Sequence, residues 1–188
     1  TPRSITSASI SGTATLTLTS SPVSITIPAY TSFTGSVGGV THNFLNTSSV
    51  IVSPTNGVYS STMSLKEGRY IHRRYTVNLN DPDQRFLIPN INVDTSTLTV
   101  SVLNSSVDST TRTFSKVTNL VEVTSTTRVY YIEEAEDGQF EIKFGDGVFG
   151  VALDAGNIVV LEYLVSNGAS ANDKTQQHTV FVECLFVR

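Results

Sequence analysis

The sequence is poor in cysteine and in basic residues. It contains one cysteine, one methionine and no tryptophan. The single cysteine, Cys184, excludes an intramolecular disulfide framework and any zinc site built from several cysteines. The chain has 12 Lys and Arg against 16 Asp and Glu, for a net charge of -4. Because an excess of basic residues is what gathers phosphates, nucleic acid is not expected as a main partner.

Long apolar runs are also missing. The most apolar stretch, Ile158 to Val165, is interrupted by Glu162. It is far shorter than the roughly 20 residues that cross a bilayer as a helix, and no basic-then-apolar leader precedes it. We therefore expect a soluble chain with no membrane partner. The sequence starts at Thr1 without methionine and stops at Arg188 inside the apolar run VFVECLFV, which indicates a part of a longer protein.

Hydroxyl and β-branched residues are what the sequence has in excess. Ser and Thr supply about a quarter of the 188 positions, whereas charged residues supply only 15%. Residues that favour helices, such as Ala, Leu, Glu and Lys, are scarce, while Val, Thr, Ile, Phe and Tyr suit a pleated, half-buried surface. The composition predicts an all-β fold of antiparallel β-sandwich modules with hairpins and little helix.

Tight-turn pairs and period-two alternation divide the chain into strands. Asn-Gly and Asp-Gly accept the positive φ of tight hairpins, and such pairs occur at Asn56-Gly57, Asp137-Gly138, Asp146-Gly147 and Asn167-Gly168. Alternating runs predict strands at Thr13–Thr19, Val23–Ile27, Ser49–Ser53, Tyr70–Val77, Thr97–Leu103, Arg128–Glu134, Gln139–Phe144 and Val180–Val187. The nearly continuous apolar run Ile158–Val165 indicates a central strand covered on both faces. Helix is expected only as a single turn near Val117–Glu122.

One internal boundary is suggested by turn chemistry. Asn80-Asp81-Pro82-Asp83 combines proline with turn formers between two strand-rich halves. We predict a Ser/Thr-rich β module at residues 1–79 and a second β module, with the Phe144-Gly145-Asp146-Gly147 hairpin, at residues 80–172. Residues 173–188 are predicted to form a strand that leads into a further segment.

The register of one hairpin can be predicted from its loop length. A two-residue loop at Asp137-Gly138 would place Ile132 opposite Lys143 and so mix apolar and polar faces. A three-residue loop, a type I turn with Gly138 as the left-handed bulge residue, pairs Ile132 with Ile142 and Tyr130 with Phe144. The core face then carries Tyr130, Ile132, Phe140, Ile142 and Phe144, and the opposite face carries Tyr131, Glu133, Glu141 and Lys143.

Several blocks of the sequence resemble one protein family. The segment VYYIEEAEDGQFEIKFGDGVFGVALDAGNIVVLEYLVSNGASAN, Val129–Asn172, resembles the baseplate wedge subunit of T-even-like contractile-tail bacteriophages, within the wider baseplate J-like family. Further blocks that resemble it are QRFLIPN at Gln84–Asn90, VDTSTLTVSV at Val93–Val102, SITIPAYTSF at Ser24–Phe33, NGVY at Asn56–Tyr59 and KEG at Lys66–Gly68. Many relatives carry Gly where Tyr30 stands.

The resemblance implies a non-enzymatic structural protein of the virion, located in the tail baseplate after assembly in the bacterial cytoplasm. It implies contacts with a second copy as a homodimer and with neighbouring wedge proteins, in a ring that rearranges when the sheath contracts, and no cofactor. The alternative is a β-sandwich module of a phage tail that binds a receptor or a glycan. Tyr131 with Glu133 is the one suggestive set for glycan binding.

No catalytic, cofactor-binding or metal-binding residue is predicted. Glu133 and Glu141 face each other across the hairpin at a separation of about 5 Å between Cβ atoms, near that of the two carboxylates in a retaining glycosidase. However, Lys143 lies diagonal to Glu133 and can offset their repulsion, and the chain lacks tryptophan for stacking sugar. We therefore favour a solvated or partner-facing surface over a hydrolase.

Metal and thiol chemistry are not indicated either. His42, His72 and His178 are scattered without ligand spacing, and Cys184 alternates with apolar positions as a small core residue would. The Phe144-Gly145-Asp146-Gly147 block lacks the regular oxygen ligands of a calcium loop, so we predict a chain-reversing turn.

Charge is distributed asymmetrically along the chain. Basic residues are concentrated between Lys66 and Arg74, whereas acidic residues crowd the predicted hairpin. These two groups could pair within the chain, meet across a subunit interface, or form two separately solvated faces. The interface candidates are Arg69, Arg73, Arg74, Glu133, Glu141 and Tyr131.

Overall fold

The structure confirms the all-β class. The computed structural model describes residues 4–18, 20–37 and 40–167. Within these ranges the strands are β1 (Ser9–Thr17), β2 (Ile25–Ile27), β3 (Ser32–Val37), β4 (Val40–Asn46), β5 (Val50–Val52), β6 (Pro54–Thr55), β7 (Val58–Glu67), β8 (Arg69–Thr76), β9 (Phe86–Ile88), β10 (Val93–Leu103), β11 (Thr111–Lys116), β12 (Val129–Glu134), β13 (Phe140–Phe144) and β14 (Ile158–Val165).

Besides the strands, the same ranges contain two short turn segments, a 3₁₀ turn at Leu120–Glu122 and a tight turn at Glu136–Gly138 whose positive φ angles are not helical. The first confirms the predicted single turn, and Asn119 caps it because its side-chain oxygen accepts a hydrogen bond from the backbone N–H of Val121 at 3.1 Å. No helix in the described part of the chain is long and apolar enough to span a membrane.

The chain forms two compact units. Among the described residues, the first unit contains those of Thr6–Tyr70 together with 165–167, and the second unit contains Ile71–Leu164 together with residues 4–5. Turn chemistry predicts a boundary between two folding modules at Leu79–Asn80, and this boundary remains a prediction. The predicted strand Val180–Val187, Cys184, His178 and Gly168 all lie outside the described residues.

The first unit is built on an antiparallel sheet in which the strands follow the order β1, β7, β4, β3. Strand β1 pairs with β7 over nine positions, from Ser9 opposite Lys66 to Thr17 opposite Val58. Alternate residues of β7 point to one face, so Tyr59, Met63 and Leu65 are buried together. The remaining members of this core are Ala14, Ile27, Phe33, Phe44 and Val52.

The second unit contains a seven-stranded sheet with the order β8, β14, β10, β11, β12, β13, β9. Strand β14 lies between two neighbours and is buried along most of its length, as its continuous apolar sequence predicts. The pairing of β11 with β12 is parallel, with Ser115 opposite Val129, and is a departure from the predicted antiparallel pattern. A 3₁₀ turn lies in the connection between these two strands, which is long enough to return the chain in the same direction.

Two turns of the first unit use residues with positive φ. Asn56 and Gly57, at φ 52° and 77°, connect β6 to β7 as the Asn-Gly pair predicts. Tyr30 also has a positive φ, of 61°. Its ring stacks on that of Tyr70 with centroids 4.2 Å apart, and this contact offsets a backbone conformation that is unfavourable for a bulky residue. Glycine is the residue that adopts this left-handed conformation without strain.

Candidate functional site

The β12–β13 hairpin has the predicted register. Ile132 lies opposite Ile142, Tyr130 lies opposite Phe144, and Glu133 lies opposite Glu141. The backbone N–H of Ala135 donates to the carbonyl of Gln139 at 2.9 Å, which closes a three-residue loop. Because side chains alternate along a strand, one face of the hairpin is apolar and the other is charged.

The turn within this loop differs from the predicted type I turn. Both Asp137 and Gly138 have positive φ, of 57° and 73°, and the N–H of Gln139 donates to the carbonyl of Glu136 at 3.2 Å. Positive φ at both central residues is the property of a type I′ turn, whose twist matches that of the flanking strands. Asp tolerates this conformation better than most residues, which is why Asp-Gly suits the position.

The charged face of the hairpin consists of two ion pairs. The ammonium of Lys143 donates to Glu133 at 2.6 Å, which confirms that this lysine lies within reach of the opposing carboxylates. Arg85, which precedes β9, donates to one oxygen of Glu141 from Nε at 3.1 Å and from Nη2 at 2.7 Å. We call Glu133, Glu141, Lys143, Arg85 and Tyr131 the charged face.

This pairing bears on the glycosidase hypothesis. The hydrogen bond from Arg85 lowers the pKa of the Glu141 carboxyl, although partial burial opposes the effect. The hydrogen bond to Glu133 raises the pKa of the Lys143 ammonium. A glycosidase needs one carboxyl held protonated as a general acid, and lowering the pKa of Glu141 works against that role. The lowered pKa therefore argues against Glu141 as the general acid of a glycosidase.

Tyr131 joins the charged face to the loop after β13. Its hydroxyl donates to the carbonyl of Phe149 at 3.3 Å. Tyr131 and Glu133 also line an open groove whose other walls are Lys116, Val117, Leu120 and Ile132. In the loop that Tyr131 contacts, Val148 and Phe149 are exposed by 64% and 57%. Tyr131 thus connects the charged face to a loop that carries two exposed apolar side chains.

The loop Gly145–Gly150 is held in one shape by its backbone. The Asp146 carboxylate accepts hydrogen bonds from the N–H groups of Val148 and Phe149 at 2.9 and 2.8 Å, and these bonds lower its pKa. A Cβ on Gly145 would lie 2.3 Å from the carbonyl carbon of Gly150, so no larger residue fits there. The predicted chain-reversing role of this block is therefore confirmed.

The basic candidates lie along β8, at one edge of the seven-stranded sheet. Arg73 donates from Nε to the hydroxyl of Tyr75 at 3.1 Å, and its guanidinium lies 5.8 Å from the centre of that ring. The hydrogen bond to Tyr75 raises the pKa of Arg73. Arg69 and Arg74 are exposed, and Arg74 points to the face opposite Arg73.

Sequence reasoning missed one carboxylate in the basic segment. Glu67, at the end of β7, is completely buried. Its carboxylate accepts hydrogen bonds from Ser166 and Asn167, and the Nδ1 atom of His42 lies 4.0 Å from Glu67 Oε1. The signal was present, because the period-two series Tyr59, Met63, Leu65 places position 67 on the same inward face.

This buried group does not form a catalytic arrangement. Serine, histidine and a carboxylate occur together, but Ser166 donates to Glu67 and not to His42. In a catalytic triad the histidine stands between the nucleophile and the acid. Among the described residues, no group of three or more His, Cys, Asp and Glu side chains could hold a metal ion.

Comparison with known protein families gives a match to a family of baseplate proteins. The family described as the third domain of bacteriophage baseplate wedge protein gp6 matches residues 71–182, which is more than half of the chain. The chain belongs to this family. The gp6 third-domain match begins at the residue where the second unit begins, and it includes the hairpin, the charged face and the Gly145–Gly150 loop.

A curated relative of the same kind extends further along the chain. Baseplate wedge protein gp6 of Enterobacteria phage T4 is 28% identical over 167 residues, which cover 79% of this chain and 24% of the T4 protein. The chain thus spans about a quarter of the length of that relative. Membership of the gp6 family confirms the resemblance to baseplate wedge subunits that the sequence blocks indicate.

Proposed function

We propose that this chain is a non-enzymatic assembly domain, which holds a baseplate wedge protein in place through protein-protein contacts. Its partners would be a second copy of the same protein, in a homodimer, and neighbouring wedge proteins. These contacts would form in the bacterial cytoplasm and be rearranged when the sheath contracts. The matching family and the T4 relative are both baseplate wedge proteins, which supports a structural role of this kind.

The charged face is the observation that carries the proposal. Its carboxylates and cations are fixed by cross-strand pairing, so their positions are set before a partner arrives. Surface ion pairs contribute little stability by themselves. Fixed charges beside exposed apolar residues instead align a partner and speed its association, while the apolar contacts supply most of the affinity.

Strand β8 offers a second surface, which is basic. The side chain of Arg73 is engaged with Tyr75, whereas the side chain of Arg74 makes no hydrogen bond or ion pair within the described ranges. Because the two side chains point to opposite faces of the strand, at most one of them meets a given partner. Arg74 is the stronger candidate, since its guanidinium is available without breaking an existing contact.

Charge reversal at each arginine tests this proposal. In the full-length wedge protein, Arg74→Glu should slow assembly with neighbouring wedge proteins about tenfold at low salt, because attraction becomes repulsion. Arg73→Glu should slow it less than about twofold. Light scattering gives the rate, and circular dichroism checks that both variants keep the β fold.

Salt provides the internal control. The difference between the two variants should shrink at about 0.5 M salt, where exposed charges are screened. If neither variant changes the rate, or if salt has no effect on it, the arginines are not an assembly surface. Charged side chains on an edge strand would then serve only to discourage unwanted strand pairing.

A further inference from the structure

Glu67 occupies a position where the strand pattern calls for an apolar residue. It comes after Tyr59, Met63 and Leu65 on the inward face of β7, and its side chain is 0% exposed. A carboxylate in such a place is strongly unfavourable unless donors compensate it. The position of these donors in the chain indicates the role of the Glu67 carboxylate.

The donors come from one short segment, immediately after β14. Ser166 donates from Oγ to Glu67 Oε2 at 2.7 Å. Asn167 donates from its backbone N–H to the same oxygen at 3.2 Å and from Nδ2 to Oε1 at 2.9 Å. Two consecutive residues, about 100 positions along the chain from Glu67, are thus bound to a single side chain.

The contacts that hold this segment differ from those of the core beside it. The apolar core of the first unit contains Phe44 and Leu65, and neither Ser166 nor Asn167 belongs to it. Ser166 is buried, but Asn167 is exposed, so water can reach the edge of the hydrogen-bonded group. A segment held by polar contacts at a surface can open locally while the core remains folded.

We propose that Glu67 is a latch: its carboxylate fastens Ser166–Asn167 to β7 and fixes the direction in which the chain leaves β14. The latch opens and closes independently of the apolar core of the first unit. In the virion the latch would orient the part of a wedge protein that comes after β14, and this use rests on the proposed assembly function. The existence of the latch does not rest on that function.

Hydrogen exchange measured by NMR on the whole isolated chain tests the latch. Asn167→Asp places a carboxylate against the buried carboxylate of Glu67, so the amide of residue 167 should exchange about 10- to 100-fold faster. The amides of Phe44 and Leu65 should change by less than about twofold, because the core stays closed.

A double variant gives the matched control. Combining Glu67→Gln with Asn167→Asp reverses the pair, since the glutamine amide can donate to the new carboxylate, and exchange at residue 167 should slow again toward the native rate. Asn167→Ala, which removes one donor and adds no charge, should accelerate exchange by a smaller factor. This variant keeps the test informative even if Asn167→Asp folds poorly.

Three results would overturn the latch. Equal acceleration at Phe44, Leu65 and residue 167 would make Glu67 an ordinary part of the core. Unchanged exchange at residue 167 in Asn167→Asp would mean that these hydrogen bonds do not hold the segment. Absence of rescue in the double variant would mean that the two side chains are not coupled. None of these results depends on an assembly partner, so they leave the proposed function to its own test.

Discussion

The carboxylates of Glu67 and Glu141 both accept more than one hydrogen bond, but they sit in opposite surroundings. Glu67 is sealed inside the first unit and is bound by neutral donors of Ser166 and Asn167. Glu141 lies on an outer face of the second unit and is bound by the cationic Arg85. The contacts around Glu67 depend on that single side chain. The contacts around Glu141 depend on backbone turns that bring charged strands together.

Because of this difference, the Glu67 region matters for stability and the Glu141 region for recognition of a partner. A buried carboxylate without its donors is costly, so the Glu67 region has to stay satisfied for the local fold to persist. An ion pair at the surface contributes little stability. In the Arg85–Glu141 pair the Arg85 side chain is 46% exposed and remains open to a partner, whereas the Glu141 side chain is 14% exposed. The Glu141 region therefore depends on geometry, which its glycine turns supply. Substituting those glycines is the most direct way to test the comparison.

The largest effect is expected at Gly145. In Gly145→Ala the new Cβ would lie 2.3 Å from the backbone of Gly150, which cannot move aside as a flexible side chain can. We expect a loss of about 3 kcal/mol in the free energy of unfolding, measured by urea denaturation with circular dichroism.

Gly57→Ala is the control for Gly145→Ala. Gly57 has φ 77°, but a Cβ added to it would have no atom within 4 Å, so only backbone strain of about 1 kcal/mol is expected. If the two alanines cost the same, close backbone packing does not shape the loop, and Val148 and Phe149 are not held in fixed positions.

A smaller effect is expected at the tip of the hairpin. Gly138 has φ 73°, and Gly138→Val introduces a β-branched residue that tolerates the left-handed region poorly. The free energy of unfolding should fall by about 1 to 2 kcal/mol. The same urea titration measures it, and a loss near zero would indicate that the hairpin adopts another turn without penalty.

The fold could be predicted where a pattern was local. Turn pairs and alternation identified the hairpin, its register and the buried strand β14, because each depends on residues close in sequence. The strands β3, β4, β6, β7, β9 and β11 were not predicted. In β7 the inward series contains Ser61 and Glu67, which weaken the apolar signal although the period of two is present. The parallel pairing of β11 with β12 depends on long-range packing that no short pattern records.

The candidate site shows the same limit. Alternation correctly placed Tyr131, Glu133, Glu141 and Lys143 on one face, since strand geometry decides it. Arg85 was missed because its partner Glu141 lies 56 positions away. The donors to Glu67 are more distant still. Whether Arg69, Arg73 and Arg74 meet a partner stays a prediction, because an interface is a property of two molecules.

The smallest effect is expected from the ion pair between Arg85 and Glu141. Arg85 lowers the pKa of the Glu141 carboxyl, so the folded state favours its ionised form. Such a group contributes stability that is complete above about pH 5, where unfolded Glu is also ionised, and that is lost as the pH falls through the folded pKa. The stability of Arg85→Met should therefore approach that of the native chain under acidic conditions and fall slightly below it at neutral pH.

Arg128→Met is the matched control, since Arg128 is also exposed but has no carboxylate partner in the described part of the chain. Its difference from the native chain should not change between pH 7 and about pH 3. The neutral-pH deficit of Arg85→Met should be smaller than that of Gly138→Val, because solvent screens an exposed pair. A larger deficit, or one that persists in acid, would mean that the charged face stabilises the fold as Glu67 does. The distinction between the carboxylate of Glu67, which is fully buried, and that of Glu141, which is bound at an outer face, would then fail.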